Sequence, residues 1–360
     1  MGQRVLVTGS AGNVGTNVIQ QLMMSDEVDI VVGIDPVGAH PLKRDLEPLV
    51  PVYPFDLRDQ AAVLRVLKTD RITAVVHLAA VMGTWVNSNP LLNFEVNLGV
   101  SAMLYEACRA AGVHRILYAS SKALYEGLEP VAGGWVENVV LPTRPYAIAK
   151  FASESLGRRI AEQDELQFVG LRFADFLGVE QLKRPPGRRG AAKTLTKIVA
   201  AGIYEQPIKL RVGADTCIDP MYTPDLGRAV TALLVKDELR HDTYNVGAGW
   251  PGITYSQMVE ACRDRYGSNS YRMVDSVGTV YHSVGTSANA AAKSANRGVL
   301  NTSRIEGEIG ERSRRFHEFL PSLEADIESD RAGGLIPSEA GEWLEETGLL
   351  ALRQPATADE

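Results

Sequence analysis

The chain has 360 residues, a formal net charge of -7, and 45% hydrophobic against 22% charged residues. That is the balance of a globular protein of one large domain or two joined lobes, and its acidity argues against non-specific nucleic-acid binding. Cys108, Cys217 and Cys262 form no C-x-x-C pair and the six histidines no H-x-x-x-H pair, so reduced thiols and no metal site are expected.

In chain order, short apolar runs alternate with helix-periodic segments. Residues 5–8 open the chain as a strand, with no basic-then-apolar leader before it, and no run is long enough for a membrane span; a cytoplasmic protein is expected. Further strands are expected at 30–34, 50–55, 74–78, 116–119 and 167–171, and helices at 13–24, 60–68 and 94–111. Uniformly apolar strands separated by helices give an α/β fold with a doubly wound parallel sheet, the Rossmann arrangement.

After Gly178 the alternation stops. A basic stretch at 183–190 with Pro185, Pro186 and two glycines reads as a loop. Then come a helix at 191–201, strands near 209–212 and 244–246, and a helix at about 224–234. Residues 277–296, rich in Ser, Gly, Ala and Asn, read as a mobile loop. A last short helix is expected at 303–309 and a frayed tail at 354–360. The division expected is 1–180 for the dinucleotide, with 215–240 packing back onto it. Residues 181–214 and 241–335 make a smaller mixed α/β substrate lobe, and 336–360 a C-terminal helix and tail.

The first strand runs into Thr8-Gly9-Ser10-Ala11-Gly12-Asn13-Val14-Gly15. Gly9, Gly12 and Gly15 allow a tight turn and close backbone approach to a pyrophosphate. Asn13 and Val14 begin a helix whose free N–H groups and positive dipole end favour that anion. Asp35 closes the second strand, where a carboxylate accepts from both ribose hydroxyls and repels a 2′-phosphate. The cofactor expected is therefore NAD.

Tyr146-Ala147-Ile148-Ala149-Lys150 places a phenol and an ammonium four residues apart, on one helix face. Using a phenol as a proton shuttle near pH 7 asks for its pKa to fall by about 3, or about 4 kcal/mol of preferential phenolate stabilisation. Lys150 and a positive nicotinamide ring are suitable cations. Ser120-Ser121 follows the fifth strand, in Leu117-Tyr118-Ala119-Ser120-Ser121, where a loop at the carboxyl end of the sheet meets the ligand crevice and Ser121 can hold a substrate oxygen beside Tyr146.

These residues resemble the extended short-chain dehydrogenase/reductase family of NAD-dependent epimerase/dehydratase type, which includes UDP-galactose 4-epimerase. Matching segments are Asp56-Leu57, His77-Leu78-Ala79-Ala80, Asn97, Ala119-Ser120-Ser121 with Tyr125, Leu171-Arg172-Phe173 and Tyr244-Asn245-Val246-Gly247. The resemblance implies that Ser121, Tyr146 and Lys150 form the catalytic group. Asp56 and Leu57 would contact adenine, and Leu78, Ala79 and Ala80 would line the nicotinamide side. Asn97, Ala119 and Phe173 would complete the NAD site, with Met82 and Asp175 facing substrate. It also implies a homodimer through helices 94–111 and 146–162.

Departures from the family bear on substrate. Ile218 stands where sugar-nucleotide members carry an arginine, Asp175 where they carry asparagine, and Lys122-Ala123 where 4,6-dehydratases carry Asp-Glu. A carboxylate at 175 would oppose a diphosphate. Lys183, Arg184, Arg188, Arg189 and Lys193 read as a solvated loop or as an anion-binding lid led by Arg188 and Arg189. The reading favoured is a net oxidoreductase acting on a secondary carbinol of a sugar, sugar acid or polyol. An NDP-sugar epimerase with retained NAD and a catalytically silent dinucleotide sensor are the alternatives.

Overall fold

A computed structural model describes residues 2–36, 50–82, 84–162, 166–183, 191–205, 208–210, 215–267, 271–273 and 298–336. In chain order the first half comprises β1 (Gln3–Thr8), α1 (Asn13–Met23), β2 (Val28–Ile34), β3 (Val52–Tyr53), α2 (Gln60–Thr69), β4 (Ala74–His77), α3 (Thr84–Ser88), α4 (Pro90–Phe94), α5 (Ser101–Ala111), β5 (Arg115–Ser121), α6 (Pro145–Ala161) and β6 (Gln167–Phe173). The second half comprises β7 (Asp175–Leu177), α7 (Ala191–Ile203), β8 (Ile208–Leu210), β9 (Cys217–Ile218), β10 (Pro220–Tyr222), α8 (Thr223–Val235), β11 (Thr243–Val246), β12 (Ile253–Thr254), α9 (Tyr255–Tyr266), β13 (Tyr271–Met273), α10 (Ser303–Ile309) and α11 (Phe316–Ala332).

Seven strands form one sheet in the order β3-β2-β1-β4-β5-β6-β11, parallel throughout. The strand order reverses between β1 and β4, which opens a crevice at the carboxyl ends of those strands. Alternation along each strand feeds two cores. Val5, Val7 and Val76 pack with Val18 and Ile19 of α1 and with Leu226 and Leu233 of α8. Leu6, Val75 and Ile116 face the other way, toward Val63 of α2 and Leu104 of α5. Burial on both faces explains why these strands read as continuous apolar runs.

Several details of the sheet half differ from the sequence expectation. β3 is only Val52–Tyr53, because Pro51 and Pro54 flank it and neither has an N–H for the ladder. The expected helix at 94–111 is interrupted by a π-helical turn at Glu95–Val100. β5 and β6 run on to Ser121 and Phe173, which stand opposite each other in register.

Beyond β6 a third core gathers Ile198 of α7, Met258 and Val259 of α9, and Phe319, Leu323 and Ile327 of α11. Short strand pairs border it: β10 with β7, β12 with β9, and β13 with β8. Helices α9 and α11 were not expected. Pro321 reads as a helix stop, yet it lies inside α11, where the burial of Phe316, Phe319, Leu320 and Leu323 offsets the lost backbone bond. The expected loop at 277–296, the basic residues 184–190 and the tail fall outside the described residues.

Candidate active site

The glycine turn is built as its spacing demands. Gly9 has φ +68°, and a Cβ on it would meet the Ala79 backbone nitrogen at 2.9 Å; one on Gly15 would meet the Gly9 carbonyl oxygen at 2.3 Å. Only glycine fits at either position without backbone displacement. Gly12 caps α1 and no side chain bonds the helix N-terminus, so the first N–H groups, through Val14, remain available to an anion. Asn13 is buried, and neither atom of its side-chain amide has a hydrogen-bond partner among the described residues. Asp35 is buried at the end of β2 and accepts from the Ala11 backbone N–H at 3.2 Å, tying strand end to glycine turn. A tight cradle, an uncapped helix and an orphaned buried amide fit a dinucleotide.

The wall beyond β4 is held by polar bonds that local reading does not reveal. The Thr8 hydroxyl contacts His77 Nδ1 at 2.7 Å and accepts from the Ala79 N–H at 3.3 Å. Burial, reinforced by the Lys150 charge, pushes His77 down to about 3, so the ring stays neutral. Asn97 sits in the π-helical turn and clamps Val81: its Oδ1 accepts from Val81 N–H and its Nδ2 donates to Val81 O, both at 2.9 Å. In this structure Asn97 thus fixes the segment carrying Leu78, Ala79 and Ala80. Met82, just past the clamp, is 54% exposed. Asp56 accepts from the N–H of Arg58 at 2.9 Å and from its guanidinium at 2.8 Å, while Leu57 packs in the core with Ile34.

The reacting group converges on the carboxyl ends of β4 and β5. Pro145 starts α6, and the Tyr146 N–H donates to Asn87 Oδ1 at 3.1 Å, which anchors the first turn. The Ser121 hydroxyl lies close enough to the Tyr146 phenol to pull its pKa down. Lys150 is buried and donates to the Ala119 carbonyl at 2.7 Å, its ammonium 6.0 Å from the Tyr146 ring centroid. Burial pushes the Tyr146 phenol up to about 12, against the opposing pull of Ser121, and pushes Lys150 down to about 7. Burial therefore opposes the phenolate, and Ser121 offsets it only in part. Lowering the phenol requires added positive charge, and bound oxidised NAD supplies such a charge together with a hydride acceptor.

Several motif residues prove to be scaffolding beneath this group. Arg172 of β6 pairs with Glu154 of α6 at 2.7 Å, both almost fully buried, and donates to the Tyr125 hydroxyl and the Glu137 carbonyl, each at 2.8 Å. Tyr125 donates in turn to Asn245 Oδ1 at 2.6 Å, and Asn245 Nδ2 donates to the Trp135 carbonyl at 2.8 Å. This network ties α6 to β6, β11 and the segment between Tyr125 and Trp135. Ala119 and Phe173 are buried at the ends of β5 and β6.

The residues singled out for substrate divide. Asp175 does not stand as a lone carboxylate: the Lys122 ammonium donates to its Oδ2, with both side chains about 15% exposed. Ile218, in the family arginine's place, is fully buried in β9. Lys183 is paired with Asp330 of α11 at 2.8 Å, so it belongs to the lobe's packing. Arg188 and Arg189 fall outside the described residues.

A reversed-order parallel sheet, a glycine turn and a Ser121–Tyr146–Lys150 array together define an NAD-dependent enzyme of the short-chain dehydrogenase/reductase class. The chain belongs to the NAD dependent epimerase/dehydratase family, matched over residues 5–247. The UDP-glucose 4-epimerase of Azospirillum brasilense is 30% identical over 246 residues, 64% of this chain and 68% of the relative. That of Erwinia amylovora is 27% identical over 281 residues, 71% of this chain and 81% of the relative. Among solved structures, the UDP-glucose 4-epimerase of Thermus thermophilus in complex with NAD is 26% identical with a TM-score of 0.73, covering 91% of this chain and 99% of that one. No helix among the described residues is long and apolar enough to cross a membrane.

Proposed function

We propose that the protein is an epimerase of a nucleotide-diphosphate sugar, of the UDP-sugar 4-epimerase type, that keeps NAD bound between turnovers. The observation that carries this reading is the Ser121–Tyr146–Lys150 group buried at the crevice, in a chain whose relatives are UDP-glucose 4-epimerases. Ser121 orients the carbinol oxygen. Tyr146 Oη takes the hydroxyl proton as the carbinol becomes a carbonyl, and returns it when the opposite stereocentre forms. Lys150 contributes positive charge beside the phenol. Because Asp175 is neutralised by Lys122, it no longer opposes a diphosphate.

On this reading, 1–180 with 215–240 holds NAD, and 181–214 with 241–335 holds the sugar nucleotide in a cytoplasmic enzyme. A homodimer through helices 94–111 and 146–162 follows from the same likeness; Ile148 on α6 and Leu91 on α4 are exposed apolar side chains available to it. Sedimentation as a monomer at micromolar concentration would remove the dimer.

A second reading, net oxidation or reduction of a sugar, sugar acid or polyol, is favoured by Ile218, because a buried isoleucine offers a diphosphate no charge. Mass spectrometry of the purified protein and NMR of UDP-galactose turnover separate the two. Copurified NAD and conversion to UDP-glucose without net NADH absorbance are expected. NADH formation from a free polyol or sugar acid, with no change in UDP-galactose, would replace the first reading by the second.

A further inference from the structure

The two residues that depart from the family pattern beside the reacting group, Lys122 and Asp175, are each other's partner. We propose that they form a substrate-reading pair, Lys122 donating to and Asp175 accepting from neighbouring hydroxyls of the substrate beside the reacting carbinol. This deepens the reading above, on which the substrate is a hydroxylated sugar.

Placement is the first argument. Lys122 directly follows Ser121, and Asp175 lies two residues beyond Phe173, the register partner of Ser121. Both therefore leave the carboxyl ends of adjacent strands, where the crevice of a doubly wound sheet receives its ligand. Both are mostly buried, and a buried ion pair contributes little stability over an apolar pair of similar volume, so packing alone does not account for it.

Valence and charge are the second. An ammonium has three donors and a carboxylate about four acceptor sites, and among the described residues each is seen to use one in this bond. Asp219 is the neighbouring carboxylate, and it is already committed: it accepts from the Gly249 N–H at 2.9 Å and the Leu300 N–H at 3.2 Å. Paired with each other, the ammonium and the carboxylate carry no net charge, so the pair offers an anionic group no net attraction. A neutral diol both donates and accepts, and matches the pair.

The test compares holoenzyme of the wild type, Lys122→Met, Asp175→Asn and the double variant, using UDP-glucose and its 3-deoxy and 6-deoxy analogues. Each single variant leaves one charge unpaired and is expected to lose Tm and about 10- to 100-fold in kcat/KM. The double variant is expected to regain Tm but not kcat/KM, and to lose the wild type's preference for UDP-glucose over at least one analogue. A double variant with wild-type kcat/KM and wild-type preference would make the pair structural only and overturn the proposal. Wild-type inactivity on UDP-sugars is a different failure: it removes the epimerase reading. The same four proteins are then compared by NADH formation from a free polyol and its deoxy analogue, where the same losses are expected and their absence overturns the pair.

Discussion

The nucleotide half and the second lobe are built on different terms. In the sheet half the strands are parallel and apolar, and the cradle is made mostly of backbone, a glycine turn and an uncapped helix, with one strand-end carboxylate beside it. In the second lobe the strand pairs are two or three residues long, the core is carried by α7, α9 and α11, and side-chain ion pairs such as Lys183–Asp330 hold the pieces together. A ligand shared by many enzymes imposes common backbone geometry, whereas a particular substrate is met by individual side chains.

The largest effect expected tests the chemistry at the seam. Tyr146→Phe should lower kcat by about 10²- to 10⁴-fold while NAD remains bound, since the ring is kept and only the proton-transfer group is lost. Stopped-flow or NMR turnover checks it, and activity near wild type would remove Tyr146 as the acid/base. Next, Arg172→Met should destabilise the protein by about 3–5 kcal/mol in urea unfolding, because Glu154 loses its buried partner. An effect below about 1 kcal/mol would mean that Arg158, 2.6 Å from Glu154, suffices alone.

Gly15→Ala asks how rigid the backbone cradle is. Its Cβ would stand 2.3 Å from the Gly9 carbonyl oxygen, so a loss of about 1–3 kcal/mol and of copurified NAD is expected. Full NAD content would show that the turn yields. The smallest effect is a slope. Folding lowers Lys150 from 10.5 to about 7, so between those values the unfolded chain binds more protons and stability rises with pH. In NAD-free protein, Lys150→Met should remove up to about 1.4 kcal/mol per pH unit of that rise. Parallel stability curves for the two proteins between about pH 7.5 and 9.5 would contradict it.

The same contrast governs what was legible in the sequence. Gly9, Gly15, Asp35 and the Tyr146/Lys150 spacing are local patterns with local causes, and the parallel sheet follows from apolar runs buried on both faces. The Lys122–Asp175 bond joins residues far apart in the chain, and nothing in either segment announces it. Asn87, which anchors the start of α6, and the Asn97 clamp are likewise tertiary. The clamp depends on a π-helical turn that periodicity reads as ordinary helix. Arg172, Tyr125 and Asn245 were legible as a family pattern, but only the structure shows them bonding one another. Helix α11 was hidden by Pro321, where packing overrides a local stop signal.

The position of β11 has a consequence for how the molecule is made. The sheet's final strand spans Thr243–Val246, and α8 (Thr223–Val235), which covers α1, is likewise synthesised long after β6 ends at Phe173. Arg115 at the foot of β5 donates to the carbonyls of Leu234 at 2.6 Å and Asp237 at 2.8 Å, so even mid-sheet waits for late chain. This is a high-contact-order arrangement. A nascent polypeptide released near residue 180 would leave β6 as an open edge and α1 without its cover, an invitation to intermolecular strand pairing. The sheet half, although it begins the chain, is finished only after the first part of the second lobe has emerged.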